Sequence, residues 1–129
     1  MKCKVQDLTG PALDWAVAKC EGYFAKSPAH KYDGTWIKGA DFLKMHRADE
    51  HGVHWTHSST DWAEGGPLIE REKITLDVFD PTGDWRASVY KMKNDEIVGG
   101  EGTTPLIAAM RCYVSSKLGE EIEIPEELV

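Results

Sequence analysis

The sequence predicts an α+β fold in which a small antiparallel sheet of three to four strands packs with two or three helices. Two amphipathic helical patterns flank a run of alternating strands, and helices of this kind bury their apolar stripes by packing on a sheet. At 129 residues the chain fits one domain, spanning 1–129, with an irregular region rich in histidine and tryptophan at about 25–57.

The first predicted helix runs from Thr9 to about Cys20 or Glu21. Thr9 and Gly10 are candidate cap residues, and Pro11 suits the first turn. Apolar residues then recur at helical spacing, namely Leu13, Ala16, Val17 and Cys20. Gly22 supplies a left-handed stop. From Tyr23 to His57, glycines interrupt short apolar pieces, which predicts an irregular loop with one or two short strands.

The segment Ser58–Arg71 combines helix-cap residues, a tryptophan and a Gly-Gly-Pro break. Ser59 or Thr60 is expected to cap a middle helix, because a hydroxyl at this position accepts a hydrogen bond from a free backbone N–H. The glycines are expected to let the chain approach the sheet. Periodicity does not decide whether the helix continues through Gly65-Gly66-Pro67, since both residue types weaken helices.

Three consecutive antiparallel strands are predicted after this segment. The run 73–79 alternates, with Ile74, Leu76 and Val78 on one face. Turn residues at 80–84 connect it to a second alternating run at 85–90, and a second turn at 93–96 leads into Ile97-Val98. The glycine-rich residues 99–102 are interpreted as a flexible turn between the last strand and the next helix.

The last helix carries the clearest signals in the chain. Thr104 is its expected cap, Pro105 its first residue and Gly119 its end. Its apolar face is formed by Leu106, Ile107, Met110, Val114 and Leu118. Ile122 and Ile124 alternate with glutamates, which predicts a short terminal edge strand or an extended arm.

Charge and composition exclude some classes of function. The net charge of −7 disfavours direct binding to nucleic acid, because such binding depends on neutralising phosphates. No apolar run is long enough to cross a membrane, and no hydrophobic region follows the start. We therefore expect a cytoplasmic protein with no membrane partner, and its three cysteines are expected to be reduced thiols.

Three histidines are spaced three residues apart, namely His51, His54 and His57. Neutral imidazoles are good ligands of a divalent transition metal such as zinc or nickel. Gly52, however, breaks the regular helix that would place the three side chains on one face. The favoured interpretation is a solvated or partly packed histidine loop, so no resident cofactor is expected.

A second candidate site begins at the middle helix. Free amides at a helix start, with hydroxyls beside them, bind phosphate or carboxylate groups, and a tryptophan stacks on a base. An anion near Asp61 would need a compensating positive charge, and Arg71 or Arg111 is able to supply it. The candidate ligand-binding residues are Ser59, Thr60, Asp61, Trp62, Arg71 and Arg111. There are also structural alternatives to ligand binding. The residues before the helix would cap it, and Arg111 would form a salt bridge or contact the edge of the sheet.

Three blocks of the sequence, at residues 13–22, 59–71 and 104–114, closely resemble the NinX-like family of phage and prophage proteins, as does the terminal Ile124-Pro125-Glu126-Glu127-Leu128. That family has no assigned biochemical function and is distantly similar to phage α/β/α sandwich domains. The resemblance implies a phage origin and a sandwich-like arrangement of helices and sheet. It transfers no catalytic residues.

These observations favour a phage accessory protein that is not an enzyme and acts by binding a host protein. One alternative is the binding or sequestration of a small phosphorylated, nucleotide-like ligand at the middle helix. Another is a metal-assisted hydrolase that uses the three histidines. A homodimer through the terminal edge strand is a further expectation.

Overall fold

The computed structural model describes residues 1–21, 46–49, 52–55, 58–79, 81 and 83–124. The elements in chain order are β1 (Lys2–Lys4), a 3₁₀ helix (Val5–Asp7), α1 (Gly10–Cys20), β2 (His46–Asp49), β3 (Gly52–Trp55), α2 (Trp62–Glu72), β4 (Thr75–Phe79), β5 (Asp84–Lys91), β6 (Glu96–Gly102), α3 (Pro105–Leu118) and β7 (Glu121–Glu123). None of the helices found in these residues is long and apolar enough to cross a membrane.

The strands form antiparallel sheets. The largest has the order β4-β5-β6, in which Ala87 on the central strand pairs with Leu76 on one side and Gly100 on the other. This confirms the predicted run of three antiparallel strands. The predicted terminal strand also exists, but it pairs with β1 at the other end of the chain, with Ile122 opposite Cys3. β2 pairs with β3 inside the region 23–57, for which one or two short strands were predicted.

Helix α3 is the centre of the fold. It packs on β5 and β6, and α1 and α2 in turn pack on α3. The helix is therefore buried on several sides, and its core residues include Met110, Cys112, Tyr113 and Val114. The α+β class is confirmed. Among the residues described here, the layers run from the sheet to α3 and then to α1 and α2.

The glycine-rich residues 99–102 are part of β6, so the prediction of a flexible turn was wrong. A β-carbon on Gly100 would lie 2.5 Å from the backbone nitrogen of Cys112 and 2.6 Å from the carbonyl oxygen of Ala108. Glycine is thus required because α3 lies directly on the strand. The physical role of these residues is close helix-to-sheet packing, and not freedom of the backbone.

The predicted apolar face of β4 is only partly correct. Ile74, just before the strand, is buried, and Leu76 is half-buried, but Val78 is 54% exposed. β4 is an edge strand, and α3 makes its main sheet contacts with β5 and β6. The far end of β4 extends beyond the cover that the helix provides.

Helix α2 continues through Gly65-Gly66-Pro67. A β-carbon on Gly65 would lie 2.5 Å from the carbonyl oxygen of Ser58 and 2.6 Å from Leu106 Cδ2. Gly65 therefore lets the turn at 58–60 and helix α3 approach α2 closely. Pro67 is exposed, and as a proline it removes one N–H hydrogen bond within the helix. Tertiary packing compensates for the low helix propensity of these residues.

The bounds of the other two helices agree with the prediction, and the predicted cap and stop residues are seen most clearly at α3. Thr104 caps α3, and its hydroxyl accepts a hydrogen bond from the backbone N of Ile107 at 3.1 Å. Gly119 ends the same helix with a positive φ of 92°. Thr9 is the N-cap of α1 but makes no side-chain cap bond, and Gly22 lies outside the described residues.

Candidate functional site

The start of α2 holds four of the predicted ligand-binding residues. Asp61 is the N-cap, and its carboxylate accepts a hydrogen bond from the backbone N of Ala63 at 2.9 Å. The expectation that Ser59 or Thr60 caps this helix was therefore wrong. The cause is register: α2 begins at Trp62, so the residue directly before it takes the capping position.

Ser59 is a core residue. Its side chain is 2% exposed, and its backbone N donates to the buried carboxylate of Asp14 at 2.8 Å. The hydroxyl of Ser59 has no hydrogen-bond partner among the described residues. The neighbouring Thr60 is exposed. Ser59 and its Asp14 bond thus anchor the turn before α2 to α1.

Trp62 lies on the surface in the first turn of α2, with 54% of its side chain exposed. Gly66, one turn later, leaves space beside the indole, since a β-carbon there would lie 3.8 Å from Trp62 Cε3. An indole in this position is accessible to a partner. The acidic residues next to it, Asp61 and Glu64, make this helix start unfavourable for an anion.

Arg71 lies at the opposite end of α2, and it binds carboxylates of the protein itself. Its Nη1 and Nη2 donate to the two oxygens of Glu21 at 3.0 and 2.7 Å, and its Nε donates to Glu72 at 2.8 Å. Arg71 Nη2 also donates to the hydroxyl of Tyr113 at 3.1 Å. The guanidinium therefore joins the ends of α1 and α2 to α3.

These contacts change the acidities of the groups involved. The pKa of Glu21 is lowered because Arg71 donates to its carboxylate; burial opposes this, and a hydrogen bond from Tyr113 adds to it. The pKa of Tyr113 is raised by burial and by its hydrogen bond to Glu21. Lys117 completes the cluster by pairing with Glu72 at 3.0 Å. The positive charge of Arg71 is thus already balanced within the protein.

Arg111 lies on α3 and reaches the edge of the sheet, as one of the two sequence-based alternatives predicted. Its Nε donates to the carbonyl oxygen of Leu8 at 3.0 Å, and its Nη1 donates to the carbonyl oxygen of Glu101 at 2.7 Å. Burial lowers the pKa of this guanidinium. Arg111 connects the start of α1, the end of β6 and the middle of α3.

The structure does not bring the six candidate residues into one pocket. Trp62 and Arg71 are nine positions apart on one helix, which corresponds to about 14 Å along its axis. Arg111 contacts β6 on another part of the molecule. The candidates therefore occupy three separate places, at the two ends of α2 and at the β6 edge.

Most of the histidine candidates lie outside the described residues. His51 and His57 lie outside the described residues, and His54 is placed only through the backbone of β3. Within the described residues, no group of three histidine, cysteine or carboxylate side chains is arranged to hold a metal ion.

A surface that the sequence interpretation missed lies at the end of the β5–β6 hairpin. Tyr90 and Ile97 are direct cross-strand partners, and they are 55% and 73% exposed. Met92, in the connecting turn, is 84% exposed. We call Tyr90, Met92 and Ile97 the hairpin patch. The sequence carried one signal for this surface. Apolar residues occupy both sets of alternating positions around the turn, whereas strict alternation would leave one face of the hairpin polar.

Tyr90 is held in place within the patch. Its hydroxyl donates to the carboxylate of Asp95, and this bond raises the pKa of the phenol. Asp95 itself has a positive φ of 51°, which closes the four-residue turn between the strands. The turn therefore orients the aromatic ring as well as connecting the strands.

Comparison with known proteins identifies the lineage. The sequence model of the family described as Bacteriophage P22, NinX matches residues 4–117, which include α1, α2, all but the last residue of α3 and most of the sheet residues. A search of curated proteins finds no match. Since the family model covers most of the chain, the earlier resemblance is confirmed, and this chain belongs to the phage NinX family.

Proposed function

We propose that this phage accessory protein acts by binding a protein of the bacterial host through the hairpin patch. The observation that carries the proposal is the exposed cross-strand pair of Tyr90 and Ile97, with Met92 beside it in the turn. Single exposed apolar residues are common on proteins, but a cluster at one end of an element is typical of interaction surfaces.

The residue types in the patch suit protein recognition. Tyrosine and methionine are enriched at protein interfaces, since a ring gives a large rigid contact and a thioether adapts to irregular surfaces. Full burial of an isoleucine side chain is worth about 1.5–3 kcal/mol. Ile97 and Tyr90 are the residues expected to contribute most, because they project together from adjacent strands.

The overall charge indicates the chemistry of the partner. At −7, the protein repels acidic surfaces and attracts basic ones over a distance of about 10 Å at moderate salt. The net charge therefore favours a partner that is basic overall. Association is therefore expected to slow as the salt concentration rises.

The geometry favours a protein partner over the phosphorylated ligand considered above. A phosphate at the start of α2 would meet Asp61 and Glu64 at close range. Arg71, which was to balance the charge, is bound by Glu21 and Glu72 at the other end of the helix. The hairpin patch, in contrast, is already exposed.

Site-specific photocrosslinking in the bacterial host tests the proposal. A photoreactive amino acid at position 92 is expected to capture the same host protein in repeated experiments. The matched control places it at Glu70, which is also exposed but lies on α2. Capture of no reproducible protein from position 92, or equal capture from position 70, would contradict the proposal.

A pair of substitutions then tests the patch itself. Ile97→Ser is expected to weaken binding of the captured protein about tenfold or more, which corresponds to a buried anchor residue. Val78→Ser is the matched control, because Val78 is also an exposed β-branched residue of the sheet but lies on β4. Equal binding by both variants would show that the hairpin patch is not the contact surface.

A further inference from the structure

The outer edge of β6 forms hydrogen bonds with the side chain of Gln6, at a place where a further strand would normally pair. The backbone N of Glu101 donates to Gln6 Oε1 at 3.1 Å, and Gln6 Nε2 donates to the carbonyl oxygen of Gly99 at 3.5 Å. Gln6 belongs to the 3₁₀ helix that follows β1. One carboxamide thus offers β6 the N–H and C=O that a residue of a neighbouring strand would offer.

Other backbone groups on this edge remain available. In a strand, the N–H and C=O of one residue point to the same side, and this side alternates along the chain. Because the carbonyl of Gly99 points outward, its N–H and both backbone groups of Ile97 also lie on the outer edge. No strand of the described part of the chain pairs with β6 on this side.

Space for another strand exists beside the edge. An open groove of about 1020 Å³ is lined by β6, the end of α3, Lys4 and Gln6. Gly99, at the centre of β6, carries no side chain that would obstruct an approaching backbone. Arg111 crosses only the end of the strand, where it donates to the carbonyl oxygen of Glu101.

We propose that Gln6 keeps β6 from pairing with β6 of a second copy of this chain. An exposed strand edge is a template for an identical edge, and two-fold pairing keeps both copies in the same register. Antiparallel pairing centred on Gly99 would place Ile97 opposite Glu101, and Glu96 opposite Gly102, so no two carboxylates would face each other directly. The same pairing needs the carbonyl oxygen of Gly99 and the N–H of Glu101, and Gln6 occupies both of these groups.

This inference is independent of the host partner proposed above, and its probe is the protein itself. Size-exclusion chromatography with light scattering is expected to give the monomer mass of 14.4 kDa for the wild type and twice that mass for Gln6→Ala. Lys4→Ala is the matched control, since Lys4 is also exposed and lines the same groove without bonding to β6. Gln6 is exposed, so its replacement should leave the circular dichroism spectrum unchanged.

A second substitution locates the interface. Gly99→Pro in the Gln6→Ala background removes an outward N–H while leaving the bonds to β5 in place, because β5 does not use that group. This double variant is expected to return to the monomer mass. If Gln6→Ala impairs folding, Gln6→Ser serves instead, because its side chain is too short to reach the edge.

Three results would overturn the proposal. The first is a monomer mass for the folded Gln6 variants throughout a dilution series. The second is a dimer that persists after Gly99→Pro, which would place the contact elsewhere. The third is a wild-type protein that already has the dimer mass at the same concentration.

Discussion

Arg71 and Glu21 form a two-bond ion pair between residues that are fifty positions apart in the sequence, with Nη1 and Nη2 each donating to one carboxylate oxygen at 3.0 and 2.7 Å. Arg71 is half exposed, whereas the side chain of Glu21 is 11% exposed. The pair therefore lies at the boundary of the core. It connects the C-terminal ends of α1 and α2 above Tyr113 of α3.

Removing the guanidinium should destabilise the protein. Arg71→Leu leaves the mostly buried carboxylate of Glu21 without its main donor, and we expect the free energy of unfolding to fall by about 1–3 kcal/mol. Urea unfolding measures this loss. Arg86→Leu is the control, because the 3.8 Å pair between Arg86 and Glu101 is exposed on both sides and such pairs contribute about 0–1 kcal/mol. Equal losses for the two variants would contradict a special role for Arg71.

The ion pair between Arg71 and Glu21 also predicts that the stability of the protein depends on pH. The pKa of Glu21 is lower in the folded protein than in the unfolded chain, because Arg71 donates to its carboxylate. Its contribution is therefore fully present above the ordinary glutamate pKa of about 4.3, and is lost as the pH falls through the lower folded pKa. The free energy of unfolding of the wild type should fall more steeply below pH 4.3 than that of Glu21→Gln. Parallel curves would exclude this contribution.

Close packing of α3 on β6 predicts different outcomes for two adjacent glycines. Gly100→Ala would place a β-carbon 2.5 Å from the backbone of Cys112, so the helix would have to move, at a cost of about 1–3 kcal/mol. At Gly99 the nearest atom would lie at an ordinary 3.5 Å. Gly99→Ala should therefore change the melting temperature little, whereas Gly100→Ala should lower it clearly. A similar melting temperature for both variants would show that the helix adapts.

Local features of the fold were predictable from the sequence because they depend on neighbouring residues. The cap at Thr104, the stop at Gly119 and the alternation along β4 and β5 are properties of short segments. The family membership followed from blocks of sequence in the same order. The cap of α2 was misplaced by one or two residues, since several adjacent side chains were chemically able to take that position.

The sequence by itself determined the α+β class, the positions of α1 and α3, the three-strand meander and the phage lineage. Only the tertiary structure decided that Gly100 and Gly102 lie in a strand, that β7 pairs with β1, that Arg71 binds Glu21 and that the hairpin patch is exposed. The physical reason is that periodicity and turn chemistry act within one segment. These four features instead depend on contacts, or on the lack of cover, between segments far apart in the chain.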